Sequence, residues 1–207
     1  MDLIKGIPST RDLAELSQLH YGNNNDAIEK KFKNYKVDKL SDENVLGIHD
    51  DINKRLIINH KGTSKAKDYV SDAAFLLGLQ KYDPQYQSRV KQTKKIVKKY
   101  PDYHKTITGH SLGSSTALHA LDKSPSLAKN INRAELFNPA SITIPYKLSK
   151  KNDMEHQKKL DNIIIHKNKN DKITSQVIPY GKKRYVKANA NKNQSLLEAH
   201  SLNNWIR

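Results

Sequence analysis

One segment constrains this chain more than any other. A short strand-like run, His104-Lys-Thr-Ile-Thr108, is followed at once by Gly109-His-Ser-Leu-Gly113 and then by a helical pattern, Ser114 to Leu121, with Ala117, Leu118 and Leu121 apolar. Strand, glycine-flanked turn and helix in direct succession form a βα unit, which belongs in a mainly parallel sheet. A serine between those glycines sits on a sharp, exposed elbow, because side chains at 109 and 113 would collide with neighbouring backbone. Ser111 therefore reads as a nucleophile rather than as an ordinary serine opening a helix. The helix N-terminus behind it supplies partial positive charge where an oxyanion would form.

The flanking segments fit the same architecture. Ser9 or Thr10 caps a helix that runs to His20, with Leu13, Leu16 and Leu19 on one face. Asn44–His49 and Arg55–His60 read as strands, with Asp50, Asp51 and Asn53 between them as a hairpin turn. Residues 66–79 carry a helical pattern. Asp83-Pro84 starts another helix whose apolar stripe is Tyr86, Val90, Thr93, Val97 and Tyr100; Lys91, Lys94, Lys95, Lys98 and Lys99 form a solvated face, and Pro101 stops it. Arg133–Phe137 and Asp161–His166 are strands, Tyr185–Ala188 is a short last one, and Leu196–Ile206 ends the chain in helix or loop. The expectation is one α/β domain over residues 1–207, of α/β-hydrolase type, with a mainly parallel central sheet flanked by helices.

Composition narrows the chemistry. There is no cysteine, which excludes disulfides, thiolate nucleophiles and Cys-based zinc sites. No apolar run approaches the length of a membrane span, and the N-terminus lacks the basic-then-apolar order of a signal peptide, so an intracellular or virus-associated setting is expected. The formal net charge is +16, which points to an anionic partner such as a membrane surface. No basic-aromatic nucleic-acid motif is present, so nucleic acid is not the expected partner.

A serine hydroxyl needs a base, and in a strand–elbow–helix site of this kind the chain order is Ser, acid, His. After Ser111 the histidines are His119, His156, His166 and His200. His119 lies in the helix that follows the elbow, His166 ends a strand and His156 precedes it. Only His200 follows an acid at a strand's carboxyl end, Asp171. Asp161 starts that strand at the wrong edge of the sheet, and Asp153 and Glu155 lie before it. The oxyanion would be held by the backbone N–H of Leu112 and by that of Thr63, in the turn Lys61-Gly62-Thr63 after an apolar strand.

These residues resemble the class 3 lipases, a family of α/β-hydrolases that includes triacylglycerol lipases and phospholipases. The resemblance runs in order through Leu56–Ala73, Tyr100–Leu121, Leu136–Ala140, Ile163–Gly181 and Glu198–Ile206. It implies Asp171 as the acid, His200 as the base and a Lys61-Gly62-Thr63 oxyanion turn. The chain departs from the family where Ser114 replaces a second glycine and where Lys61 stands for the commoner arginine. A lid would have room only from Gly78 to Tyr82.

The activity this implies is hydrolysis of lipid carboxylic esters through an acyl-enzyme on Ser111, with no metal or cofactor. An acyltransferase or thioesterase would use the same triad. The positive charge favours a phospholipase over a neutral-fat lipase. The competing class is a basic, non-enzymatic protein that keeps a hydrolase scaffold and binds nucleic acid or an anionic surface.

Overall fold

The structure is a computed structural model, and it describes residues 7–62, 84–140, 162–172, 182–186 and 195–206. Among these described residues seven strands lie side by side in chain order: β1 (Lys36–Val37), β2 (Val45–Asp50), β3 (Arg55–His60), β4 (His104–His110), β5 (Arg133–Phe137), β6 (Ile163–Asn168) and β7 (Lys182–Val186). The hairpin β2–β3 is antiparallel, as is β1–β2; from β3 to β7 every neighbour is parallel. The helices are α1 (Thr10–Tyr21), α2 (Asn25–Lys31), α3 (Pro84–Lys99), α4 (Leu112–Lys123), α5 (Pro125–Asn130), α6 (Leu196–His200) and α7 (Asn203–Ile206). The expected mainly parallel sheet with flanking helices is observed. The helical pattern of residues 66–79, Asp83 and the room for a lid lie outside the described residues.

Local chemistry explains where the elements start. Ser9 caps α1: its hydroxyl accepts from the Asp12 N–H (3.1 Å), and the Asp12 carboxylate accepts in return from the Ser9 N–H (2.9 Å). The hairpin turn is tied by Asp50, whose carboxylate accepts from the N–H groups of Ile52 and Asn53 at 3.0 Å each.

Side-chain alternation divides the interior into two layers. Val45, Leu56, Ile58, Ile107, Leu136 and Ile165 pack against α3, α4 and α5. Leu46, Ile48, Ile57 and Phe137 point the other way, to Leu13 and Leu16 of α1 and to Trp205 of α7. The buried stripe of α3 also includes Ile96 and Arg89, and Lys99 leaves the solvated face to pair with buried Asp38 at 2.5 Å.

The α1 side of the sheet also buries charge. Glu135 on β5 accepts from Arg133 Nε (2.9 Å) and bonds to His166 Nε2 of β6 (2.9 Å). Burial alone would raise the Glu135 pKa, but the His166 hydrogen bond and the Arg133 charge outweigh it and bring the pKa down from 4.5 to about 2. A carboxylate with a depressed folded pKa adds stability that is fully present above its unfolded value and is lost as pH falls through the folded one. Glu135→Gln is therefore expected to destabilise the protein at neutral pH, with the difference from wild type shrinking between pH 4.5 and about 2. Urea unfolding across that window checks it.

Candidate active site

Ser111 sits between β4 and α4 with φ 55° and ψ −125°, a left-handed conformation that costs a non-glycine residue about 1–3 kcal/mol. An ordinary serine at a helix start would adopt extended backbone and accept a bond from the first turn. Ser111 does neither. Its hydroxyl makes no cap, is buried, and has no hydrogen-bond partner among the described residues. The elbow is anchored from Ser111 N–H to Phe137 O at 3.0 Å.

The elbow's crowding accounts for its glycines. A Cβ at Gly109 would lie 2.8 Å from Gly113 C and 2.9 Å from His60 O; one at Gly113 would lie 2.0 Å from His60 O. Ser114, where the resembled family has glycine, fits because its hydroxyl bonds to Gly109 O (2.5 Å) and Phe137 O (3.0 Å).

Asp171 follows β6, and His200 ends α6. His200 Nδ1 lies 2.7 Å from Asp171 Oδ2, with both side chains buried. Donation from Nδ1 to the carboxylate fixes the imidazole tautomer and leaves Nε2 as its basic nitrogen.

The base loop is held by side chains that the sequence did not single out. His110 Nε2 donates to His200 O (2.7 Å), and Asn138 Nδ2 donates to the same oxygen (3.0 Å). Asn168 Nδ2 reaches Ala199 O at 2.8 Å, and Asn138 Oδ1 accepts from the Asn168 N–H at 2.9 Å. These donors come from the carboxyl ends of β4, β5 and β6. Asn138 pays for its position with φ 40°, an αL conformation that asparagine tolerates better than most residues. Their one sequence signal was position, at or just past a strand end.

His110 also links the base loop to the turn after β3. Burial, reinforced by the nearby His200, lowers its pKa to about 3, so its ring is neutral at ordinary pH. A carbonyl oxygen only accepts, so Nε2 carries the proton and Nδ1 accepts from the Tyr21 hydroxyl (3.0 Å). The same hydroxyl packs on Gly62, where a Cβ would lie 2.1 Å from Tyr21 Oη. Tyr21→Phe keeps the ring and removes the donor; it is expected to cost about 1–2 kcal/mol of stability, read by urea unfolding.

The turn after β3 is tied from both sides. Arg89 of α3 donates to Lys61 O and, at 2.8 Å, to Asn44 Oδ1. Lys61 Nζ donates to Asn23 Oδ1 at 2.7 Å. Lys61 is thus a structural tie, and burial lowers its pKa. Thr63, the expected second oxyanion donor, lies outside the described residues. Leu112 is the first residue of α4, so its N–H is one of those at the helix start that have no intrahelical partner.

The other histidines sit elsewhere. His119 packs edge-on against Tyr86 with ring centroids 5.1 Å apart, His166 serves Glu135, and His156 lies outside the described residues.

An elbow serine at the end of a parallel strand, with an Asp–His pair at the carboxyl ends of later ones, is the arrangement of α/β-hydrolases. The sequence model described as Lipase (class 3) matches residues 60–141, so this stretch, from the end of β3 through the elbow to the end of β5, is similar to the class 3 lipases. No curated protein sequence matches. Among solved structures, Lip2 lipase from Yarrowia lipolytica is 14% identical, covering 81% of this chain and 74% of its own with a TM-score of 0.53, and it shares the fold. Lipase II from Rhizopus niveus is 17% identical, with coverage of 81% and 75% and a TM-score of 0.48. The native Rhizomucor miehei lipase propeptide complex is 14% identical, with a TM-score of 0.42; the match covers 75% of this chain, which spans 58% of that one.

Proposed function

We propose that this chain is a carboxylic ester hydrolase acting on lipid esters, with Ser111 as nucleophile, His200 as base and Asp171 as the acid that orients it. The observation that carries this reading is the strained elbow: Ser111 is held at φ 55° with a buried hydroxyl that caps nothing. In the proposed cycle His200 Nε2 takes the Ser111 proton as the oxygen attacks the ester carbonyl. The N–H groups of Leu112 and Thr63 hold the oxyanion. Collapse of the tetrahedral intermediate leaves an acyl group on Ser111, and the leaving alcohol takes its proton from His200. Water then gives a proton to His200 as its oxygen attacks the acyl carbonyl; the C–Oγ bond breaks, Ser111 Oγ takes that proton back from His200, and the acid is released. The similarity of residues 60–141 to the class 3 lipases supports an ester substrate. The basic surface favours phospholipids over neutral fat as the substrate class.

Turnover of a short-chain p-nitrophenyl ester by wild type and by Ser111→Ala tests this directly. Activity that disappears in a folded Ser111→Ala supports it. Equal rates in the two proteins refute Ser111 as nucleophile. No turnover in either, on esters or on phospholipid vesicles, leaves the non-enzymatic reading standing.

A further inference from the structure

A second concave surface lies on the outer helical layer. Between α3 and α4 runs a groove of about 880 Å³, in the size range of ligand sites. Its rim is Lys91, Lys94, Lys95 and Lys98 of α3 with Lys123 at the end of α4. The floor includes Tyr86, Val90 and His119. The four α3 lysines are spaced i, i+3, i+4 and i+7, so they share one face of the helix.

Among the described residues their charge is uncompensated. An acid one turn away would relieve such a row, but α3 contains no Asp or Glu at all. Lys123 pairs with Asp122 at 3.0 Å, and no ion pair of Lys91, Lys94, Lys95 or Lys98 occurs among the described residues. Among the described residues no acidic side chain lines the groove. The groove also stands away from Ser111, since His119 lies about 12 Å along α4 from the elbow at 1.5 Å per residue.

We propose that this groove docks the protein onto an anionic phospholipid surface, the lysines receiving head-group phosphates while the apolar floor meets the acyl-chain boundary. Lysine is a flexible point charge suited to a fluid layer of phosphates. The arginine of the helix, Arg89, is turned inward onto Lys61 O and Asn44. The two floor rings are engaged edge-to-face with each other, and Tyr86 is buried, so among the described residues the groove offers no open aromatic face for a nucleic-acid base to stack on.

The test measures binding alone, on the full chain carrying Ser111→Ala, so the hydrolase reading can fail without affecting it. Sedimentation with phosphatidylcholine vesicles, with and without phosphatidylglycerol, is compared at physiological salt for two triple variants. K94Q/K95Q/K98Q removes three of the five rim lysines; K30Q/K33Q/K36Q removes the same charge from exposed positions around α2 and β1. Partitioning should require phosphatidylglycerol and fall on the order of a hundredfold in the groove variant, about fivefold per lysine, with a much smaller loss in the control. Matching urea unfolding curves ensure that the variants are folded. Equal losses in both triples, or indifference to phosphatidylglycerol, overturn the proposal. So does tighter binding to an oligonucleotide than to vesicles, abolished by the groove triple, which would assign the groove to nucleic acid.

Discussion

In His200→Ala, kcat/KM toward a p-nitrophenyl ester is expected to fall by about a thousandfold or more, as when a triad base is removed. The fold should survive, because the base loop is not held by the imidazole. His110 and Asn138 grip the His200 carbonyl, and Asn168 grips that of Ala199. Truncating the side chain leaves those three bonds in place. The stability cost is the loss of the ring's bond to buried Asp171, about 1–3 kcal/mol. Steady-state kinetics beside urea unfolding separate the two effects: a large kinetic loss with a cooperative transition is expected. A His200→Ala protein with near-normal kcat would remove His200 from the proposed mechanism.

Gly113→Ala is expected to have the largest effect on folding. The added Cβ would lie 2.0 Å from His60 O, 2.7 Å from His60 C and 2.8 Å from Lys61 C. All three are backbone atoms at the end of β3, which pairs along its length with both β2 and β4. No side chain can rotate away, so either α4 or the strand must move, at a cost of about 3 kcal/mol or more. Gly47→Ala is the natural control. Its Cβ would meet Ile96 Cγ2 at 3.1 Å, a side-chain atom that can shift, so a much smaller loss is expected. Urea midpoints of the two variants test the contrast.

The strands that proved easiest to read are those whose boundaries are local. β3 and β5 carry the bounds expected for them, since apolar or β-branched residues end there at turn-forming ones. Three elements left no such trace. Helix α2 buries only Ile28 and rests on its Asn24 cap, so its sequence shows no apolar stripe. Helix α5 is a six-residue turn held by Ser124 and Pro125. Strand β1 exists only through its pairing of Lys36 with His49 and Val37 with Ile48, which is a tertiary fact.

The candidate site divides in the same way. Ser111, Asp171 and His200 are legible because chemistry demands their residue types in a fixed chain order. His110, Asn138, Asn168 and Tyr21 are not, since they act on backbone carbonyls, on one another or on a glycine's empty space. Lys61 could be read only as a departure from the usual arginine; its burial and its bond to Asn23 come from packing.

Covalent trapping tests the central claim most directly. The intact protein is incubated with an alkyl p-nitrophenyl phosphonate, whose phosphorus is attacked by an activated serine with loss of p-nitrophenolate, and the labelled peptide is identified by mass. A single adduct on Ser111, formed far more slowly in His200→Ala, is the expected result. Labelling at another residue, or labelling of Ser111 at the same rate without His200, would contradict a Ser111 nucleophile activated by the Asp171–His200 pair.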